Sequence, residues 1–248
     1  MPSPASPSEE SPAPGALPLH GLRVVTVESY GAGPYGSMIL ADLGAEVIKV
    51  ENRAEGGDST RRSGPHFDAQ GRSYFYETFN RNKRSLTLDL GHPDGQAVLH
   101  DLTRSADAVM NNLRGDVPAK LGLDYAALGQ VAQRIVCVHL SAYGRQGSRA
   151  AWPGYDFLMQ AETGYLHLTG EPDGPPARCG VSVVDMMGGL SAGMALLAGV
   201  LGARASGRGR DLEVSLFDTA LSSLWYVSSW YLNTGHVQAR LPRSAHAS

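Results

Sequence analysis

The sequence is poor in cysteine and in aromatic residues, and each shortage excludes a class of protein. The chain has 248 residues and two cysteines, Cys137 and Cys179, which do not form a CxxC pair. Neither a disulfide framework nor a zinc site is therefore supported, and we expect a reducing, cytoplasmic location. Aromatic residues make up 7% of the chain. No basic stretch is interleaved with them, so we expect no nucleic-acid partner.

Blocks of like charge and long apolar segments are also missing. The net charge is -3 at pH 7, and no basic run suits an anionic membrane. The apolar segment 190–203 is short and glycine-rich for a bilayer span, so no membrane partner is expected. Residues 1–18 are rich in proline, serine and alanine and contain no apolar signal region. They predict a disordered tail rather than a targeting peptide.

Short apolar segments rich in β-branched residues alternate with segments of helical pattern. A strand–helix–strand unit of the length found here is typical of a parallel crossover. The sequence therefore predicts an α/β fold with a doubly wound, Rossmann-like, mostly parallel sheet. The predicted strands cover residues 22–27, 46–51, 85–90, 108–110, 135–140 and 211–216.

A valine-rich run followed by a glycine-rich helical pattern carries one acidic residue, Asp185, at the junction. Val181, Val183 and Val184 predict a buried strand, and a helix is predicted over 186–203. Asp185 would then lie near the helix N-cap, where backbone N–H groups and the positive helix end keep a carboxylate ionised. Such a carboxylate either caps the helix or acts as a nucleophile, and this stretch alone leaves both interpretations open.

A glycine-rich turn follows the first predicted strand. Gly31, Gly33 and Gly36 form a GxGxxG pattern, and Glu51 lies 20 residues after Gly31, at the end of the second strand. This arrangement is typical of a dinucleotide-binding turn, in which the helix N-terminus receives a diphosphate. The same glycines would serve another nucleotide ligand or simply a tight turn between strand and helix, so three interpretations remain open.

Three further patterns in the sequence are less specific. Residues 189–193 match GxSxG, but Ser191 is predicted inside a helix, which favours close packing of small residues over a serine hydrolase. His139 and His167 lack metal-ligand spacing and are predicted as core or polar-network residues, and no metal is expected. The basic cluster 80–84 fits either phosphate contact or a solvated loop.

A set of motifs occurs in one fixed order along the chain. The motifs are LHGLRVVTVESYGAGP at 19–34, LGAEVIKVE at 43–51, NRNKRSLTLDL at 80–90, NLRGDVPAKLGL at 112–123, PGYD at 153–156, Asp185, and GRGRDLEVSLFD at 207–218. In these motifs the chain resembles the family III CoA-transferases of CaiB/BaiF type, which include formyl-CoA transferase, carnitine CoA-transferase and the 2-methylacyl-CoA racemases. The set is far more specific than any single motif.

The resemblance implies a fold, an activity and partners. The chain would be a Rossmann-like large domain over 19–248, with a smaller domain absent, and full-length chains would form an interlocked homodimer. The activity would be CoA transfer from an acyl-CoA, such as succinyl-CoA, to a carboxylic acid, with CoA thioesters as substrates and no permanently bound cofactor. Asp185 would be the nucleophile, forming a mixed anhydride and then a CoA thioester. Alternatives are a 2-methylacyl-CoA racemase and a non-catalytic CoA-binding fragment.

The resemblance also implies which residues contact CoA. The glycine turn is reinterpreted as lining the CoA nucleotide instead of NAD. Asn52 occupies the position where relatives often carry a phosphate-contacting arginine, and the adjacent Arg53 is taken as its substitute. The implied contacts are Tyr30, Gly31, Ala32, Arg53, Leu88, Asp89, Leu90, Asn112, Leu113, Lys120, Leu140, Ser141, Ala142 and Tyr143.

One position separates transferase from racemase. Racemases of this family use the histidine of a Gly-His-Asp step for proton transfer, and this chain has Gly154, Tyr155 and Asp156 there. A tyrosine, with an ordinary pKa of about 10, is a poor general base at neutral pH. The transferase is therefore favoured, although another histidine such as His167 would restore the racemase if the fold brought it close.

Overall fold

The structure, a computed structural model, describes residues 17–244. Its strands are β1 Arg23–Val27, β2 Glu46–Glu51, β3 Lys83–Thr87, β4 Ala108–Asn111, β5 Val136–Ser141 and β6 Arg210–Ser215. They form one sheet in the order β3-β2-β1-β4-β5-β6, and each neighbouring pair is parallel. The predicted mostly parallel, Rossmann-like sheet is confirmed. Of the predicted tail, residues 1–16 lie outside the described residues.

Helices connect the strands and cover both faces of the sheet. They are α1 Ala32–Asp42, α2 Tyr74–Asn80, α3 Pro93–Arg104, α4 Tyr125–Leu128, α5 Asp156–Glu162, α6 Tyr165–Leu168, α7 Val183–Ser206, α8 Leu216–Ser222 and α9 Trp225–Thr234. Short 3₁₀ helices occur at Arg53–Glu55, Ser59–Arg62, Pro118–Leu121 and Pro242–Ser244.

Two hydrophobic cores lie on opposite faces of the sheet. Because successive side chains of a strand point to opposite faces, neighbouring valines of β1 contribute to different cores. Val24 packs in the core that contains Leu40 of α1 and Leu196 of α7. Val25 packs in the core that contains Leu99 of α3. The central strands β1, β4 and β5 are therefore buried on both sides, which explains why they appear as continuous apolar runs.

Helices α1 and α7 approach each other closely enough to exclude side chains at their contact. A Cβ atom on Gly36 would lie 2.3 Å from the carbonyl oxygen of Gly189, and one on Gly189 would lie 2.4 Å from the carbonyl oxygen of Ala32. The third glycine of GxGxxG and the first of GxSxG therefore serve helix packing. Ser191 lies inside α7, as predicted.

Two strand predictions differ from the structure. The third strand lies at Lys83–Thr87, two to three residues earlier than predicted. The predicted strand at Val181, Val183 and Val184 is wrong, because Val181 is exposed and α7 begins at Val183. The backbone N–H of Val184 donates to the Asp156 side chain, which caps this helix.

Helix α7, Val183–Ser206, extends three residues beyond each end of the helix predicted over 186–203. It has 24 residues, with a mean hydropathy of 1.6 over an 18-residue window, which meets the length and composition of a membrane-crossing helix. Here its inner face contacts α1, β5 and β6. It is the central helix of one of the two cores.

The strand order creates a crevice at one edge of the sheet. After β1 the chain adds β2 and β3 on one side, then returns to place β4, β5 and β6 on the other. Connections leaving the carboxyl ends of β1 and β4 therefore diverge. In open α/β sheets, ligands bind in the crevice at such a switch point.

Candidate active site at the switch point of the sheet

The crevice opens into a cavity of about 750 Å³, a size typical of sites for small ligands. The turns that follow β1 and β4, the end of β5, the segment before α5 and the start of α7 form its walls. The lining residues are Ser29, Tyr30, Gly31, Ala32, Ser59, Asn112, Leu113, Arg114, Leu140, Ser141, Ala142, Trp152, Pro153, Gly154, Tyr155, Asp156, Phe157, Ser182, Asp185 and Leu216.

Asp185 lies in the first turn of α7 and lines this cavity. A different aspartate caps the helix: Asp156 Oδ2 accepts hydrogen bonds from the backbone N–H of Val184 at 2.7 Å and of Asp185 at 3.2 Å. Gln160, one turn further along α5, donates to the other Asp156 oxygen and holds it in place. The capping role open to Asp185 therefore belongs to Asp156, and the Asp185 carboxylate is available to the cavity.

The electrostatic environment of Asp185 is unusual for an aspartate. Burial raises the pKa of its carboxyl to about 6, and the negative charge of Asp156 adds to the increase. Within residues 17–244, no side chain donates a hydrogen bond to this carboxylate. The expected reason for its ionisation is therefore wrong, because the backbone N–H groups bind Asp156. With a pKa of about 6 the group is still about 90% ionised at pH 7.

The first two glycines of the turn make room for polar side chains of the site. A Cβ atom on Gly31 would lie 3.2 Å from Asp185 Oδ2, so the glycine leaves that carboxylate oxygen open to the cavity. A Cβ atom on Gly33 would lie 2.8 Å from the side chain of Asn112. The glycine pattern is thus explained by access to Asp185, by Asn112 and by helix packing. Diphosphate binding at this turn stays a prediction.

Asn112 joins the two turns that form the mouth of the crevice. Its amide oxygen accepts from the Ser29 backbone N–H at 2.9 Å, and its amide nitrogen donates to the Ser29 carbonyl at 2.7 Å. The turn after β4 is thereby fixed to the turn after β1. Tyr30, which follows Ser29 in the turn after β1, has a left-handed backbone with φ 71°, which is uncommon for a residue other than glycine.

Glu51, the acidic residue of the dinucleotide pattern, is occupied by structural contacts. Arg61 forms a bidentate ion pair with it at 2.6 and 2.8 Å, and Ser85 donates to it at 2.7 Å. Burial alone would raise the pKa of Glu51, but these hydrogen bonds and the one from the Asp58 backbone outweigh it and lower the pKa to about 2. Its carboxylate is therefore not free to bind a ribose.

A second set of buried charges adjoins Glu51. Lys49 Nζ donates to Asp58 at 2.5 Å and to Asn80 at 2.8 Å, and both side chains of the Lys49–Asp58 pair are fully buried. Lys83 Nζ lies 2.8 Å from Glu28. We refer to these residues with Glu51 and Arg61 as the buried ion network. Asn80 and Lys83 of the basic cluster 80–84 thus have structural partners.

The structure brings together most of the predicted nucleotide contacts. Those that line the cavity with Asp185 are Tyr30, Gly31, Ala32, Asn112, Leu113, Leu140, Ser141 and Ala142. The others are not among its lining residues. Arg53 and Asp89 are exposed, Leu88 and Leu90 pack in a core, Lys120 pairs with Asp116, and the Tyr143 hydroxyl donates to Glu162. Contact of either group with CoA stays a prediction.

The two histidines singled out in the sequence have different environments. His139 is buried between Asn111 and Asp211, with ring-nitrogen distances of 2.9 and 2.8 Å, which agrees with a polar-network residue. His167 is exposed on α6, so of its two predicted roles that of a core residue is wrong. Within residues 17–244, no group of three or more His, Cys, Asp or Glu side chains is arranged to hold a metal ion.

Several lining residues were not identified as site residues from the sequence. The sequence marks Asp156 only as part of the Gly-Tyr-Asp step and predicts no ligand contact for Trp152, Tyr155 or Phe157. The three aromatic residues lie within six positions: Trp152 and Tyr155 precede α5, and Phe157 lies in its first turn.

Together, the Rossmann strand order and the aspartate at its switch point define an α/β protein built to expose a carboxylate in a ligand crevice. Comparison with known sequences identifies the family. The chain belongs to CoA-transferase family III, whose profile matches residues 19–248. The resemblance in the motifs is thereby confirmed.

Individual relatives agree with this assignment. The chain is 39% identical over 229 residues to a succinate–glutarate CoA-transferase of Agrobacterium fabrum, covering 90% of this chain and 57% of the relative. It is 34% identical over 235 residues to an acetyl-CoA:oxalate CoA-transferase of Acetobacter aceti, covering 94% and 60%.

A solved structure supports the same assignment. A CaiB/BaiF family protein from Brucella suis superimposes with a TM-score of 0.86 at 34% identity, covering 91% of this chain and 60% of that one. The chain thus spans about three fifths of the length of these relatives.

Proposed function

We propose that the protein transfers CoA from an acyl-CoA donor, such as succinyl-CoA, to a carboxylic acid acceptor, with Asp185 as the nucleophile. The observation that carries the proposal is the half-buried Asp185 carboxylate in the switch-point cavity, which lies beside Asp156 without a cation and is left open by Gly31. A raised pKa makes this carboxylate more basic than an ordinary aspartate, yet it stays mostly ionised at neutral pH. The names of the relatives support the same reaction class.

In the proposed reaction, Asp185 attacks the thioester carbonyl of the donor, and the carbon–sulfur bond breaks to release CoA thiolate and leave a mixed anhydride. The thiolate then attacks the aspartyl carbonyl, which releases the donor acid and forms an Asp185–CoA thioester. The acceptor carboxylate attacks that thioester, giving a second anhydride and CoA thiolate. Attack of the thiolate on the acceptor carbonyl yields the new acyl-CoA and regenerates Asp185.

A 2-methylacyl-CoA racemase is less well supported. Among residues 17–244, no histidine lines the cavity, and the position of the racemase histidine is Tyr155. Its hydroxyl would have to remove a carbon-bound proton at neutral pH, for which an ordinary tyrosine is poorly suited. A non-catalytic CoA-binding chain is the other alternative, and only an activity measurement separates it from the transferase.

We also propose a cytoplasmic location and an interlocked homodimer for the full natural chain, with no membrane or nucleic-acid partner. Both cysteines are free thiols, and burial raises the pKa of the Cys137 thiol far above its usual range, so this thiol is unreactive. Two free cysteines, one of them buried and unreactive, agree with a reducing compartment. The dimer rests on the family resemblance alone.

The test is a transfer assay with the full natural chain, succinyl-CoA and a panel of carboxylic acids. We expect a new CoA ester, and hydroxylamine added during turnover should form a hydroxamate at Asp185. Asp185→Asn keeps the size of the side chain but removes the nucleophile, so we expect transfer to fall more than about 1,000-fold. The exposed Asp173 provides the matched control, Asp173→Asn.

Full activity of Asp185→Asn would remove this residue from the mechanism. Rapid 2-deuteration of a 2-methylacyl-CoA in deuterated water, without any acid acceptor, would instead establish the racemase.

A further inference from the structure

Gln160 links α5 to the segment that precedes α7. Its side chain is fully buried. The amide nitrogen donates to Asp156 Oδ1, and the amide oxygen accepts from the backbone N–H of Cys179 at 2.8 Å. Because the oxygen faces an N–H group and the nitrogen faces a carboxylate, the reversed amide would place two donors together on one side and two acceptors on the other. The orientation of the amide is therefore fixed.

The start of α7 depends on this link. Residues 180–182, which precede the helix, are exposed, and the N-cap residue makes no side-chain hydrogen bond to the described part of the helix. The first turn is held instead by Asp156, which accepts from the backbone N–H groups of Val184 and Asp185. Gln160 and Asp156 together thus bind both ends of this exposed segment, and they place the residue that carries the proposed nucleophile.

The same contacts decide which carboxylate of the Asp156–Asp185 pair keeps its charge. Asp156 accepts from three N–H groups, one of Gln160 and two of α7. A proton on Asp156 would need an acceptor, but its hydrogen-bonding partners within residues 17–244 are all donors. Asp185 receives no side-chain donor in the same range. The proton of the pair therefore binds to Asp185.

Other titratable groups around α5 are engaged elsewhere or exposed. They are Glu162 of α5, which pairs with Arg149; Tyr165 of α6, which donates to a backbone carbonyl, and the exposed His167; Asp218 of α8, which accepts from Ser215; and the free thiol of Cys179. Asp156 is the group whose charge acts on Asp185. A change at Gln160 should therefore be visible in the titration of this pair.

We propose that Gln160 is a positioning residue for CoA transfer, because its amide fixes both the place and the charge of the carboxylate that holds the backbone of Asp185. This inference rests on the proposed function. An apolar side chain of the same length would leave the Cys179 N–H and one Asp156 oxygen without their partners. The nucleophile would then be less well oriented. Gln160 is not among the residues that line the described cavity, so binding of the acyl-CoA should change little.

The first test separates kcat from KM in the full natural chain. Gln160→Met keeps the length of the side chain but removes the amide, so kcat for transfer should fall at least tenfold, while KM for succinyl-CoA should change less than about threefold. Thr103→Val is the control. It removes a fully buried hydrogen bond of α3, from the Thr103 hydroxyl to the Leu99 carbonyl at 2.8 Å, in the core on the other face of the sheet; kcat should not change. Parental kcat in Gln160→Met would overturn the proposal.

A second variant tests the donor itself. Gln160→Glu keeps the size of the side chain, but the new carboxyl can donate to Asp156 only while it carries a proton. Two adjacent buried carboxylates share one proton and lose it above the usual carboxyl range. With kcat normalised to folded protein by circular dichroism, the variant should match the parent at about pH 6 and fall at least tenfold below it by about pH 9. A ratio of the two kcat values that is the same at both pH values would overturn the proposal.

Carboxyl NMR with carbon-13-labelled aspartate separates failure of positioning from failure of transfer. In the parent, the Asp185 signal should titrate at about pH 6, while the Asp156 signal stays at its ionised position. In Gln160→Met the Asp156 signal should shift in the same range, because this carboxylate has lost a donor. These shifts without any transfer by the parent would overturn the transferase and retain the role of Gln160. Transfer by the parent, with an Asp156 signal that is identical in Gln160→Met, would overturn the role of Gln160.

Discussion

Two groups of carboxylates in this protein have opposite surroundings. In the buried ion network, Glu51 and Asp58 are each matched by a cation, and the pKa of each is lowered despite burial. At the start of α7, Asp185 has an aspartate as its charged neighbour, and its pKa is raised. Desolvation acts on both groups, so partners decide the sign. Glu51 and Asp58, each paired with a cation, stabilise the turn beside the site. Asp185, which has no cationic partner, retains reactivity.

The largest expected change in stability comes from removing a cation from the buried ion network. Lys49→Met should lower the free energy of unfolding by about 3–5 kcal/mol, because it leaves the buried Asp58 carboxylate without its cation. Urea unfolding at pH 7 measures the change. Arg84→Met is the control: Arg84 pairs with Glu46 at the surface with its side chain 76% exposed, so a change below about 1 kcal/mol is expected. Equal effects of both substitutions would remove the distinction between the two groups.

Removing the charge of Asp185, which has no cationic partner, should instead increase the free energy of unfolding. The pKa of Asp185 rises from 3.8 in the unfolded chain to about 6 in the folded one, so the folded state binds protons more tightly and loses stability as pH rises through that window. Asp185→Asn should therefore stabilise the protein at pH 8 by up to about 3 kcal/mol and by almost nothing below pH 4.

Urea unfolding of parent and variant across pH 4 to 8 measures this difference. A variant that is less stable than the parent at pH 8 would show that the Asp185 carboxylate stabilises the folded state instead of destabilising it.

The smallest effect concerns the neighbour that raises the Asp185 pKa. Asp156→Asn keeps an oxygen that accepts from the helix N-terminus but removes the like charge. The acidic limb of kcat/KM, which reports the free enzyme, should move to lower pH by about half a unit to one unit. Asp173→Asn should leave the limb in place. An unmoved limb in Asp156→Asn would mean that burial alone raises the pKa of Asp185.

Local patterns in the sequence predict most of the fold but less of the site. Strands such as β1 and β5 are buried on both faces, so their apolar runs are unambiguous. The valines before Asp185 gave a wrong strand because their helix is capped by Asp156, 29 residues away, which no local pattern contains. Likewise, the spacing of Glu51 fits a dinucleotide site, but its partner Arg61 can be recognised only in the fold.

The close contact of Gly36 with Gly189 also constrains how the chain folds as it is made. These residues are about 150 positions apart in the sequence. Their contact lies in the interface with α7, the element against which α1 packs most extensively. The ribosome synthesises the amino-terminal part first. The apolar face of α1 and of the strands beside it therefore stays exposed until α7 has been synthesised. During synthesis of the roughly 150 residues between these two glycines, the growing chain contains an incomplete sheet with an exposed apolar face.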